Sequence, residues 1–237
     1  MRPAGWPPDI DAFLGVDLRL PVIGGLSVPA RLLCAECWFT LEPAAGTGKL
    51  APSGAHEVSV DIVSPFHEND QLLAIVRFLK FSGGRAAVPA LAWWMARALR
   101  SYLADGAASN PPPVLVPVPL HPRRERARGY NQAALLAYGV AGHLGLEVEE
   151  GFLARVRHTQ SQSTLSAGER GDNVRGAFAL RPGGARDPVR IVLVDDLVTT
   201  GETVSACAHA LTEARPVSLA VLAAGRRRAI FKGVSGA

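Results

Sequence analysis

A chain of 237 residues, 48% hydrophobic and 19% charged, folds around a core and is excluded from the intrinsically disordered class. Basic residues outnumber acidic ones 25 to 21, leaving +4, too mild an excess for nucleic acid as the sole ligand. No apolar stretch reaches the ~20 residues that span a bilayer, Pro and Asp residues interrupt any N-terminal secretory signal, and three cysteines make no disulfide framework; a soluble cytoplasmic protein with no membrane partner is expected.

In chain order, residues 1–57 are rich in Pro and Gly, keep no hydrophobic period and read as an irregular N-terminal arm, with Glu42–Ala55 (EPAAGTGKLAPSGA) as a loop or linker. The periods sharpen at residue 58, and residues 58–226 read as one domain followed by a tail over 227–237. Val58–Pro65 is predicted to be a short strand. Asn69 or Asp70 caps a helix whose Leu72, Leu73, Val76 and Leu79 recur at helical spacing, and a second helix falls near Ala86–Leu103. Val114–Val118 is an apolar run made unusual as a strand by Pro117. A helical stripe covers Asn131–Leu144. Arg157–Arg175 is polar and aperiodic, a long loop of the kind that serves as a lid. Then follow a candidate strand at Ala177–Leu180 and a buried strand at Val189–Val194. A helix over Glu202–Ala214 has Val204, Cys207, Ala208 and Leu211 on its apolar face, and Val217–Ala223 is a further strand. This alternation predicts an α/β fold with a mainly parallel central sheet flanked by helices.

The chemistry concentrates in Ile191–Thr203 (IVLVDDLVTTGET). An apolar strand ends in Asp195 and Asp196, and Thr199, Thr200, Gly201, Glu202 and Thr203 lead into a helix. Ligands of open α/β sheets bind beyond the C-terminal ends of strands, where carboxylates can accept hydrogen bonds from sugar hydroxyls. A turn of amides and hydroxyls entering a helix suits an anion. Acids followed by such a cradle fit a ribose 5-phosphate. The plainer alternative is a capped helix after a strand. Neither a Walker A loop nor a dinucleotide fingerprint is present. Upstream, residues 121–128 (HPRRERAR) set four Arg against one Glu, either a solvated basic helix start or a phosphate-facing cluster.

Ile191–Thr203 resembles the signature with which type I phosphoribosyltransferases bind 5-phosphoribosyl-1-pyrophosphate (PRPP). Val116–Gln132 (VPVPLHPRRERARGYNQ) and Arg155–Phe178 (RVRHTQSQSTLSAGERGDNVRGAF) narrow the resemblance to the ComF/GntX group of that family. The resemblance implies a phosphoribosyltransferase-like fold. It gives the ribose hydroxyls, directly or through magnesium, to Asp195 and Asp196, and the 5-phosphate to Thr199, Thr200, Gly201, Glu202 and Thr203. Pyrophosphate falls to Pro119, Leu120 and His121, with Arg123 and Arg124 close behind. A closing loop is implied around Gln162, Leu165, Arg170 and Asn173. Magnesium is the implied cofactor, and an unidentified base or amine the implied acceptor. Three functions stay open: a phosphoribosyltransferase, a PRPP- or nucleotide-sensing module, and an accessory factor in DNA uptake that meets single-stranded DNA or a helicase-like partner. Lys80, with Phe81, Gly83, Gly84 and Arg85, resembles a further family element, and an ordinary helix-to-helix turn explains it equally well.

Cys34 and Cys37 form a C-x-x-C, where members of the group often carry a four-cysteine zinc knuckle. The expected first pair is replaced by Ile23 and Leu26, and structural zinc takes four ligands. His56 and His67 are alternative ligands at no common spacing. The preferred reading is a relic pair in a packed arm without zinc, with Cys207 in the core.

Overall fold

The protein is described by a computed structural model over residues 40–44, 46–50, 60–81, 84–105, 111–156, 176–181, 189–212, 214 and 216–228. The C-x-x-C pair, Ile23, Leu26, His56 and the 157–175 loop, with Gln162, Leu165, Arg170 and Asn173, lie outside the described residues.

Strands β1 (Glu42–Pro43), β2 (Gly48–Leu50), β3 (Val60–Val63) and β4 (Phe66–His67) come first. Helix α1 (Asp70–Leu79), a 3-10 turn over Gly84–Ala87 and helix α2 (Val88–Asp105) follow. Strand β5 (Val114–Pro117) leads to helices α3 (Pro122–Arg128) and α4 (Gln132–Leu144). Short strands β6 (Glu147–Val148), β7 (Leu153–Arg155) and β8 (Phe178–Leu180) precede β9 (Arg190–Val198), helix α5 (Glu202–Thr212) and β10 (Ser218–Arg226).

The main sheet runs β1-β4-β10-β9-β5-β6, with β3 also on β10 and β2 on β3. Its centre is parallel: β10 pairs β3, β4 and β9, while β5 pairs β9 and β6. Only β1 on β4 and β2 on β3 run antiparallel, at one margin. Helices cover both faces. On one, Leu72, Met95, Leu99 and Leu136 pack on Val192, Val194 and Leu222. On the other, Phe152, Phe178, Cys207 and Leu211 pack on Ile191, Leu193 and Val221. Burial on both faces explains why β9 reads as an unbroken apolar run rather than an alternating one. The α/β fold with a mainly parallel sheet is therefore as expected.

Two expectations are corrected. Residues 42–43 and 48–50 are not linker: β1 and β2 add two strands to the main sheet, and β2 matches Leu50 to Val60. Strand β9 does not end before the acids but continues to Val198, because β10 pairs with it as far as Arg226. At the start of the tail, Arg227 donates to Glu68 at 2.8 Å and Arg228 to Glu42 at 2.7 Å. The alternatives at α1 resolve to Asn69, whose Oδ1 accepts from Leu72 N at 2.9 Å. Pro117 is tolerated at the last position of β5. Val118 N donates to Val194 O at 2.9 Å, so by the period of two the missing N–H of Pro117 faces the opposite side, beyond the end of the short β6. Cys207 is fully buried, as its place on the apolar helix face predicted.

Candidate functional site

The site grows from the place where β5 stops and β9 continues. The last β5–β9 pair is Pro117 with Val194, so among the described residues no strand pairs the backbone from Asp195 onward on that flank. The two acids then diverge. Asp195 lies toward Cys207 and Arg155, on the α5 side, and its Oδ1 accepts from Asp196 N at 2.8 Å. Asp196 turns to the α1 side, where its Oδ1 lies 3.1 Å from Lys80 Nζ. Asp196 is 3% exposed, and among the described residues its second oxygen, Oδ2, is buried with no hydrogen-bond partner. Burial, followed by the charge of Asp196, pushes the Asp195 carboxyl up to about 7, against the pull of the Asp196 amide, Lys80 and Arg155.

Beyond the acids, Asp195, Leu197, Val198, Thr199, Thr200, Gly201, Glu202, Thr203 and Val204 line one open pocket of about 200 Å³. Gly201 makes the turn possible. Its φ is +79°, and a Cβ there would sit 2.5 Å from Leu50 Cδ1. Strand β2, unread in the sequence, thus forms the back wall of the turn. Thr199 to Thr203 share this pocket with Asp195, whereas Asp196 is not among its lining residues.

The segment Val118–Arg128 is fixed at both ends. Asn131, buried, donates from Nδ2 to Val118 O at 3.1 Å and accepts Ala133 N at 3.0 Å, joining the exit of β5 to the start of α4. His121 caps α3, its Nδ1 accepting from Arg123 N at 3.2 Å. Pro119, Leu120 and His121 are partly exposed between these anchors. The basic run divides by helical spacing. Arg124 and Arg128, four apart, are partly buried on one face, whereas Arg123 and Arg126 are exposed. Arg128 bonds Gln132 Oε1. Burial lowers its pKa, while the charge of Asp196 raises it. Arg155, on β7, packs over the Phe178 ring at 5.2 Å and feels the charges of both Arg124 and Asp195.

The acids, the turn, Pro119, Leu120, His121, Arg123 and Arg124 were site candidates in the sequence; Arg128 stood there only within the basic run, Lys80 only as a family-like turn, and Arg155 had no role. Arg128 was legible as the i+4 partner of Arg124. Lys80 and Arg155 come from distant segments, and only the packing of α1 and β7 brings them in. Tyr130 holds the Lys80 turn: its hydroxyl lies 2.7 Å from the carbonyls of both Leu79 and Phe81, and Arg85 stacks 4.7 Å over its ring. Among the described residues no helix is long and apolar enough to cross a membrane.

No family model matches the chain. Competence protein F of Haemophilus influenzae is 40% identical over 95 residues, 40% of this chain and 42% of that protein. DNA utilization protein YhgH of Salmonella typhi is 42% identical over 103 residues, 42% of this chain and 43% of that protein. The matched part thus spans about two-fifths of the length of these curated relatives. Among solved structures, an adenine phosphoribosyltransferase aligns at TM-score 0.41 and 13% identity over 78% of this chain and 86% of that one. The Leishmania tarentolae adenine phosphoribosyltransferase aligns at 0.32 and 16% over 58% and 72%. By its sequence, then, the chain is similar over about two-fifths of its length to competence protein F and YhgH, at 40–42% identity.

Proposed function

We propose that this chain binds PRPP with magnesium at the end of β9 and transfers its 5-phosphoribosyl group to a nitrogen of a base or amine, releasing pyrophosphate. The observation that carries the reading is the single pocket shared by Asp195 and the Thr199–Thr203 turn, with Lys80, Arg128 and Arg155 close to the two acids. In this reading, the amides and hydroxyls of the turn hold the 5-phosphate, and Asp195 and Asp196 accept hydrogen bonds from the ribose hydroxyls. The bond between C1 and the pyrophosphate oxygen breaks with its electron pair leaving on pyrophosphate. The acceptor nitrogen bonds C1 and gives up a proton. Arg124, Arg128 and Arg155 face the charge that grows on the leaving group. The donor set suits magnesium, a hard cation commonly held by one or two carboxylates plus substrate phosphates, and the partnerless Oδ2 of buried Asp196 offers such an oxygen. Bound there, magnesium supplies Lewis-acid stabilisation of the phosphates. A cytoplasmic site of action belongs to this proposal.

The names of the relatives, a competence protein and a DNA utilization protein, favour a second reading, an accessory role in DNA uptake that keeps PRPP or nucleotide binding as a sensor. Pyrophosphate release from magnesium–PRPP across a panel of bases and amines tests the transferase. Binding of PRPP with no release for any acceptor leaves the sensor. Fluorescence anisotropy with a labelled single strand tests direct DNA contact, which the exposed Arg123 and Arg126 would serve.

A further inference from the structure

We infer that Lys80 is a tethered counter-ion that occupies Asp196 when no divalent cation is bound and swings off it when one arrives. The inference rests on the reading of Asp195 and Asp196 as a cation- and ribose-binding pair. Asp196 is 3% exposed; the Lys80 ammonium lies 3.1 Å from its Oδ1, Arg128 feels its charge, and among the described residues its buried Oδ2 has no hydrogen-bond partner. A buried carboxylate without compensation is strongly disfavoured, so the nearby ammonium offsets the burial of Asp196 and leaves its second oxygen available to a cation. A divalent cation brings two positive charges to the same carboxylate, where the ammonium then adds only repulsion.

The surrounding structure allows the ammonium to move and the turn to stay. The Lys80 side chain is 33% exposed and carries a flexible four-carbon stem. Its backbone is pinned on both sides by the Tyr130 hydroxyl at Leu79 O and Phe81 O. Gly84 packs so tightly that a Cβ there would lie 1.9 Å from Phe78 O. Lys80 therefore competes with free metal at Asp196, and when phosphates accompany the metal the released ammonium has an anion to meet. Such a device holds the metal weakly alone and tightly with its anionic ligand.

The experiment is titration of Mn²⁺ alone into the full chain, read by loss of the free-ion electron paramagnetic resonance signal, for the wild type, Lys80→Met and Lys80→Arg. Lys80→Met is expected to bind Mn²⁺ at least tenfold more tightly than the wild type, and Lys80→Arg no more tightly. Equal or weaker binding by a folded Lys80→Met overturns the inference. A second measurement needs no variant. The chain holds three lysines, Lys49, Lys80 and Lys232, so amine labelling followed by peptide mass spectrometry reads Lys80 by itself. Saturating Mn²⁺ should speed labelling of Lys80 and leave Lys49 unchanged; an unchanged or slowed Lys80 rate also overturns the inference. These arms contain no PRPP. If magnesium–PRPP fails to bind the wild type, the substrate reading falls while the Lys80 result stands.

Discussion

Asp195 shows how a site can cost stability. Its carboxyl is raised to about 7, first by burial and then by Asp196, whereas an unfolded-chain aspartate titrates near ~3.9. Between those values the native state holds more protons than the unfolded state, so this group's contribution to stability falls as pH rises and is lowest above about 7. Asp195→Asn removes the penalty. The variant should melt about 3–8 °C above the wild type at pH 8, with the gain shrinking toward pH 4; thermal denaturation across that range checks both the sign and the window. Asp196→Asn should behave differently, since it leaves Lys80 without its partner at 3.1 Å. No comparable gain in melting temperature is expected from it. The adjacent acids were plain in the sequence. That they face different sides of the sheet was not, because which neighbours meet them depends on the packing of α1 and β7.

At the scale of elements, the long periodic segments were legible and the short ones were not. Helix α1 reads from Leu72, Val76 and Leu79, all buried, and from its Asn69 cap. Strand β9 reads from its apolar run. Strands β1, β6 and β7 span two or three residues each, too few to show a period, and form because a neighbouring strand offers backbone partners. Strand β2 is the instructive miss. A stretch of Gly and Pro reads as linker, yet Leu50 is 4% exposed and stands against Gly201. The glycine is therefore needed twice, for φ +79° and for the room taken by Leu50 Cδ1 at 2.5 Å. Gly201→Ala should lower the melting temperature by about 2–8 °C, as strain and overpacking each cost of order 1–3 kcal/mol. It should also weaken phosphate binding more than Leu50→Ala does, since only the glycine shapes the turn itself. Differential scanning calorimetry and a phosphate titration separate the two effects. The hinge between α1 and the 3-10 turn gives a parallel case. Tyr130→Phe removes the hydroxyl shared by Leu79 O and Phe81 O and should cost about 1–3 kcal/mol in denaturant unfolding.

Across the whole molecule, the C-terminal end of β10 fastens the sheet margin that the sequence placed in an arm. Arg226 is 4% exposed and donates to Ile62 O at 3.0 Å and to Gly46 O at 3.1 Å. Burial lowers its pKa. Arg227 and Arg228 continue outward to Glu68 and Glu42. The exposed Arg228 pair is worth little, in the range of about 0–1 kcal/mol, but Arg226 satisfies carbonyls inside the fold. Arg226→Met should destabilise by about 2–4 kcal/mol in urea unfolding, and Arg228→Ala by less than about 1. The flank of β9 past Pro117, the Gly201 turn backed by β2, and the Lys80 turn pinned by Tyr130 meet at the C-terminal end of the central strand β9. The meeting supports a ligand with both sugar hydroxyls and phosphates. Titration calorimetry of magnesium–PRPP into the full chain, beside Asp195→Asn and Asp196→Asn, is the decisive reading. Saturable binding by the wild type is expected, weakened about tenfold to a hundredfold in each folded variant, as for loss of one charge-assisted hydrogen bond. No binding by the wild type, or equal affinity in both variants, would contradict the assignment of these acids to a phosphoribosyl site.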